Sequence, residues 1–214
     1  MYKVSLIAHT QPLNDTAENF IAYCARVSNP TNQYNKGTGP KLLRYCAKNG
    51  HWSVFEMVNA VMDIHCTRDI GRQILRHNSF RFQEFSQRYA NPTDMGFAMR
   101  DARLQDTKNR QNSIENENQE LQGEWIRRQQ QHVEMAKNDY AWAIEQGIAK
   151  EQARAILPEG LTMSRMFVSG TLRSWIHYCN LRRGNGTQKE HMEIAEACWT
   201  ELCKVFPILK EICE

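Results

Sequence analysis

The 214-residue chain is 41% hydrophobic, 24% charged and 9% aromatic, a globular composition that excludes a disordered or collagen-like chain. A single domain spanning 1–214 buries about 70% of the surface its unfolded chain exposes, so it needs neither metal nor disulfide to fold. Lys plus Arg is 27 against 24 for Asp plus Glu, a net charge of +3, which excludes the dense positive field of a protein that coats nucleic acid and requires any anion to be captured locally. Seven cysteines, Cys24, Cys46, Cys66, Cys179, Cys198, Cys203 and Cys213, are an odd number without a C-x-x-C pair and read as small buried hydrophobes in a reducing cytosol. The opening MYKVSLIAHT is too short and polar for a signal peptide, and no apolar run reaches the ~18 residues of a membrane span, so a cytoplasmic location is expected.

In chain order, residues 2–8 predict a strand, followed by a helix from Asp15 to Val27 with Asp15 and Glu18 as a capping pair and Phe20, Ile21, Cys24 and Val27 on its buried stripe. After a polar loop, Pro40 suits the first turn of a helix reaching Asn49, which Gly50 closes. Residues 57–65 alternate, with Val58, Ala60, Met62 and Ile64 on one face, as a half-buried strand does. Thr67 can cap the next helix, where Ile70 and Ile74 share a side and Arg72, Gln73 and Arg76 crowd the carboxyl end; the segment to Pro92 is too irregular for an amphipathic element.

Between Gln105 and Gln131, 11 of 27 residues are Asn or Gln, which makes this a solvated excursion rather than core. It leads into a long helix ending at Gly147, whose stripe of Trp125, Val133, Ala136, Tyr140, Ala143 and Ile144 is expected to pack on the common core. A short helix follows near 151–157, then a strand over 162–169 and a helix over 170–182. The last helix starts at the capping box Thr187-Gln188-Lys189-Glu190 and buries Ile194, Ala195, Cys198, Leu202 and Val205. Strands and helices mix without β-α-β alternation, so the class is α+β, a mixed or antiparallel twisted sheet flanked by helices.

Local signatures for dinucleotide and triphosphate loops, nucleophile elbows and zinc proteases are absent, and the seven histidines show no metal-ligand spacing, so no metal site is expected. The chemistry concentrates instead in two places. Residues 76–89, RHNSFRFQEFSQRY, interleave arginines with four aromatics beside Gln73, and a second polar set comprises Arg154, Arg173, His177, Arg182 and Gln188. A guanidinium presents a planar fork of donors that matches phosphate or the paired acceptors of a pyrimidine. By themselves these residues suit either a solvated, ion-paired face or a clamp on an anionic nucleotide.

The residues also resemble a known family. Arg76, His77, Ser86 and Arg88 form RH-x8-S-x-R, similar to the R-H-R-x7-S-x-R signature of flavin-dependent thymidylate synthases. The resemblance continues in family order through ARVS at 25–28, H-x-S-x-FE at 51–56, Gln73, QE-x-S-x-RYA at 83–90, AR-x-x-LP at 153–158, and LRSWIHY-x-x-LR followed by TQ-x-E ending at Glu190. It implies the fold of that family in a homotetramer with sites shared between subunits, and it implies methylation of dUMP at uracil C5. The carbon would come from 5,10-methylenetetrahydrofolate and the hydride from reduced FAD, which NADPH re-reduces, without a cysteine nucleophile. No polymeric nucleic acid and no membrane is implied as a partner.

By the same resemblance, Ser28, His51, Ser53, Arg76, His77, Asn78 and Glu84 stand as flavin contacts, with Thr171, Arg173, His177 and Gln188 in a second flavin-binding stretch. Gln73, Arg76, Glu84, Ser86, Gln87, Arg88, Arg154 and Arg182 stand at the nucleotide, with Ser86, Arg88 and Arg182 closest to the chemistry and Arg182 on the uracil, where a cation stabilises charge developing on the ring. Three departures accompany the match. Asn78 replaces the third signature arginine, with Arg81 as a stand-in; Gly186 occupies the place of a frequent flavin-stacking histidine; and the linker after Pro158 is about one residue longer. The alternatives are a related pyrimidine modification, dUMP hydroxymethylation or dCMP methylation, and a module that binds single-stranded nucleic acid by base stacking.

Overall fold

The computed structural model describes residues 2–184 and 186–212; Cys213 lies outside them. The chain forms strand β1 (Lys3–His9), helices α1 (Ala17–Ala25) and α2 (Gly39–Lys48), strand β2 (Asn59–Thr67), helix α3 (Arg68–Leu75) and strand β3 (Arg81–Glu84). A small hairpin, β4 (Leu104–Gln105) and β5 (Ser113–Ile114), precedes helices α4 (Gln119–Glu145) and α5 (Lys150–Ala153). Strand β6 (Met163–Thr171) and helices α6 (Leu172–Arg182), α7 (Lys189–Val205) and α8 (Leu209–Ile212) complete it.

Four strands pair in the order β1-β2-β6-β3, and every pair is antiparallel. The β2–β6 ladder is the longest, running in register from Asn59 opposite Thr171 to Thr67 opposite Met163. Alternation along it sorts the side chains: Ala60, Met62, Ile64 and Cys66 of β2 and Met166 and Val168 of β6 are fully buried, whereas Arg165 and Phe167 are exposed. Onto the buried face the helices bring Ile21, Leu43, Ile70, Ile74, Trp175, Ile194 and Leu202, all within one core cluster. The α+β expectation of a sheet flanked by helices is borne out, with antiparallel pairing throughout the four strands.

Local expectations fare unevenly, for physical reasons. Pro40 lies in the first turn of α2 and Gly50 follows its end at φ 72°, a left-handed conformation glycine adopts without strain. Helix α1 is capped by Thr16, which accepts the Asn19 amide, while Asp15 accepts from the Thr16 amide and the Asn19 side chain; Val27 lies beyond the helix and is exposed. Residues 52–57 wind into a 3-10 turn, so β2 begins at Asn59 rather than at 57. The expected capping box at 187–190 does not form: Gln188 precedes α7 without a side-chain cap, and Glu190 is buried in an ion pair with Arg103, with Arg100 3.6 Å away. A buried carboxylate must be paired, and that requirement overrides a surface cap.

Strand β3 lies in the segment that showed no pattern, because an edge strand of four residues is too short for alternation to register. The long helix is a larger correction. Tyr140 and Ala143 pack with Ala153 and Leu157 in a small cluster apart from the main core, and the expected stripe residues Trp125 and Ile144 are exposed. Helix α4 instead fixes the 96–103 segment, since the Gln129 amide bonds both the backbone N–H and the carbonyl of Arg100 at 2.9 and 2.8 Å. None of the described helices is long and apolar enough to cross a membrane.

One close approach locks the signature segment onto the sheet. The buried Phe80 ring lies 4.5 Å from Trp175, centroid to centroid, and fills the space a side chain at Gly170 would need, so that a Cβ there would overlap the ring. Gly170→Ala is expected to destabilise the protein by about 1–3 kcal/mol through overpacking. Adding Phe80→Leu should return part of that loss, measured as non-additivity of denaturation midpoints.

Candidate active site

The geometry of the site follows from the β2–β6 ladder. Helix α3 starts directly after the last residue of β2 and α6 directly after the last residue of β6, and because the strands are antiparallel the two helices depart from opposite ends of the same ladder. Both lie on its buried face, through Ile70 and Ile74 of α3 and Trp175 of α6, whose indole N–H donates to the Ala60 carbonyl at 3.0 Å. Eight residues of α3 span about 12 Å and eleven of α6 about 16 Å, together close to the roughly 27 Å of a nine-residue ladder. Their carboxyl ends therefore meet.

At that meeting point Arg182 Nε donates to His77 Nε2 at 3.0 Å. Gln73 Nε2 donates to Gln188 Oε1 at 2.8 Å, and Gln73 Oε1 lies 3.1 Å from Nδ1 of His191. The other ring nitrogen of His191 lies 3.1 Å from the Tyr178 hydroxyl. Arg76, immediately after α3, is exposed at the same end. Two convergent helix carboxyl termini present negative dipole ends, where Arg76 and Arg182 are favourably placed. The histidines between them are held neutral: burial first, then the Arg182 charge, lowers His77, and burial with Arg182 and His77 brings His191 down to about 3.

The rest of the first arginine segment turns the other way. Beyond β3, Ser86 accepts from the Arg88 amide, Arg88 pairs with Glu151 at 3.4 Å, and Gln87 is buried. Gln87 and Arg154 line a cavity of about 250 Å³ with Arg68, Arg72 and Glu159. Glu84 of β3 holds two of these arginines, 3.4 Å from Arg68 and 3.8 Å from Arg72, and lies 3.3 Å from the Ser164 hydroxyl. Three guanidinium groups around one cavity, balanced by two carboxylates, suit a phosphate.

A third group gathers around the 52–57 turn. His51 packs edge-on against Tyr45, whose own depression is lined by Ser28; Trp52 packs against His177 at 4.9 Å; and Glu56 pairs with Arg173. Ser53 is exposed in the same turn. Burial, then the Arg173 charge, lowers the His177 pKa. Thr171 caps α6 by accepting the Ser174 amide at 3.2 Å.

The chain thus brings together Gln73, Arg76, His77, Arg182 and Gln188, separately Glu84, Gln87 and Arg154, and separately again Ser28, His51, Ser53, Arg173 and His177. Asn78 is exposed, and Arg81 Nη1 donates to the backbone carbonyls of Asn78 and Phe80 at 3.2 and 2.9 Å, which places a guanidinium beside the position lacking one. Gly186 has φ 91° and open space where a Cβ would stand, so a histidine there would meet no clash but would carry backbone strain. Arg68, Arg72, Tyr178 and His191 were not among the expected site residues. His191 had a readable signal, because it continues the buried stripe of Ile194, Cys198 and Leu202, and a histidine on such a stripe needs partners.

No disulfide joins the described cysteines. Burial pushes the Cys66 thiol up to about 12, far from a reactive thiolate. Among the described residues no group of three or more His, Cys, Asp or Glu is arranged to hold a metal ion.

The family model described as thymidylate synthase complementing protein matches residues 5–208. A probable flavin-dependent thymidylate synthase of Paramecium bursaria Chlorella virus 1 is 46% identical over 205 residues, covering 94% of each chain. The flavin-dependent thymidylate synthase of Synechocystis is 45% identical over 206 residues, covering 96% of this chain and 92% of its own. Among solved structures, a UMP/dUMP methylase, PolB, from Streptomyces cacaoi, bound with 5-Br dUMP, superposes with a TM-score of 0.86 at 23% identity, covering 99% of this chain and 94% of that one.

The buried neutral His191 sets a pH dependence. Its folded pKa of about 3 lies below the ordinary 6.5, so the unfolded chain takes up the proton first; the stability it contributes is complete above pH 6.5 and is lost as pH falls toward 3. Between pH 8 and pH 5 the loss is expected to be about 2 kcal/mol. Urea titrations at the two pH values should show a loss smaller by about that amount in His191→Asn than in the native chain, because His77 and His177, whose pKa values are also lowered, keep their own contributions.

Proposed function

This chain belongs to the flavin-dependent thymidylate synthase family, and on that footing we propose that it methylates dUMP at uracil C5 to give dTMP. The observation that supports this reading is the meeting of His77 of the family signature, and of Gln73 just before it, with Arg182 and Gln188 of the second arginine set. The carbon comes from 5,10-methylenetetrahydrofolate, and NADPH supplies the reducing equivalents. The chain acts as one catalytic unit over 1–214, in a homotetramer whose sites are shared between subunits.

FAD fits the residues present: the exposed donors of Arg76, Ser28 and Ser53, with the half-buried Arg173 that Glu56 holds, suit its phosphates and ribityl chain, with His51, His77, His177, Thr171 and Gln188 as further contacts. When bound it supplies the hydride that converts the transferred methylene into a methyl group. Arg154 and Arg88, with Ser86 and Gln87, hold the nucleotide's phosphate and sugar; the cavity beside Arg154 supports this placement. Arg182 meets the uracil. It is held by His77, which accepts from Nε as a neutral imidazole, so the terminal fork is oriented without help from a ligand. There it stabilises negative charge on the ring as C5 becomes nucleophilic. Glu84, between Arg68 and Arg72, keeps those cations in place at the edge of the anion site.

A visible absorption spectrum of the purified protein, then product mass after reaction with dUMP, methylenetetrahydrofolate and NADPH, tests the reading. A bound flavin and dTMP are expected; a protein that binds no added FAD would overturn it, and a hydroxymethylated or cytosine product would redirect it within the same chemistry. Arg182→Ala should lower kcat by about 10²–10³-fold with flavin content largely retained. Unchanged turnover would refute the uracil assignment.

A further inference from the structure

The side-chain amide of Gln73 is gripped on both sides. Its oxygen lies 3.1 Å from Nδ1 of His191, its nitrogen donates to Gln188 at 2.8 Å, and beyond the imidazole Nε2 lies 3.1 Å from the Tyr178 hydroxyl. Two hydrogen-bond directions are compatible with these distances, and Tyr178 decides between them. Its hydroxyl is buried, and His191 is its hydrogen-bond partner among the described residues. If His191 donated to the phenol oxygen, the phenol hydrogen would be left buried without an acceptor, at a cost of about 1–3 kcal/mol. The phenol therefore donates to Nε2, Nδ1 carries the ring hydrogen and donates to Gln73 Oε1, and the Gln73 nitrogen points away from the imidazole.

We propose that Tyr178 and His191 are positioning residues that lock the Gln73 amide in one orientation, so that it offers its second N–H, and never its oxygen, to an acceptor oxygen of the bound nucleotide. This rests on the reading of Gln73 as a nucleotide contact. Without the lock the amide is free to turn over, and half of its orientations present a carbonyl to an oxygen-rich ligand. The lock holds across the working pH range, because Arg182 and His77, the charged and titratable groups facing His191, both oppose its protonation, and burial keeps the Tyr178 phenol protonated. His191 is thus used as a fixed tautomer rather than as a proton carrier.

Steady-state kinetics of the full-length flavoprotein with dUMP as the varied substrate test this, together with flavin content. Tyr178→Phe and His191→Leu should each raise KM for dUMP about tenfold, the equivalent of one lost hydrogen bond, with kcat changed less than about twofold. His191→Asn, whose amide nitrogen stands near the place of Nδ1, should restore KM most of the way. Gln73→Ala should also raise KM, and on that background Tyr178→Phe and His191→Leu should have no further effect. If Tyr178→Phe leaves KM unchanged, or its effect adds in full to that of Gln73→Ala, the lock is refuted while the nucleotide contact stands. If Gln73→Ala itself leaves KM unchanged, the contact fails and the lock with it. Should His191→Leu not fold, Tyr178→Phe, which keeps the ring, decides the matter alone.

Discussion

Everything at the site depends on the antiparallel pairing of β2 with β6. Nine consecutive pairs fix how far apart the two strand ends lie, and α3 and α6 begin at those ends with no intervening loop. Each helix must bury an apolar stripe on the same face of the sheet, so each runs inward. The lengths of the helices then decide that Arg182 arrives at His77. A ladder shifted by two residues would move these groups apart by roughly 7 Å, beyond the reach of a hydrogen bond.

The electrostatics of that junction follow from where it is. Two carboxyl termini favour cations, and burial disfavours more charge than the arginines already carry, so the histidines beside Arg182 remain neutral and act as acceptors or fixed donors. The second arginine cluster, around Arg154, is balanced internally by Glu84, beside Arg68 and Arg72, and by Glu159. A net charge of +3 is consistent with cations gathered into small clusters rather than spread over the surface. Two of the three departures from the family pattern fall into the same frame. Arg81 returns a guanidinium to the neighbourhood of Asn78, and the left-handed backbone at Gly186 is a conformation that a histidine would not readily adopt.

Legibility in the sequence tracked how local each cause was. The β2 alternation, Pro40, Gly50 and the α7 stripe depend on residues a few positions apart, and they are where periodicity and turn chemistry predict them. The capping box at 187–190 failed because Glu190 has a partner, Arg103, 87 residues away, and no local rule sees that pairing. Helix α4 was periodic enough to be found as a helix, but its stripe does not reveal which surface it covers; it lies on α5 and the 96–103 segment instead of the main core. Strand β3 is an edge strand held mainly by its ladder with β6.

The sequence by itself determined the α+β class, most helix and strand positions, and the ordered motifs by which the chain joins its family, because each is written in neighbouring residues. The tertiary structure decided which motif residues stand together: Gln73, His77, Arg182 and Gln188 at one junction, Gln87 and Arg154 at a cavity, His51 and His177 around a turn. It also brought in Arg68, Arg72, Tyr178 and His191, whose roles depend on contacts made across more than a hundred residues of chain in the case of Gln73 and His191. Such contacts exist only once the ladder has set the distance between the two helices.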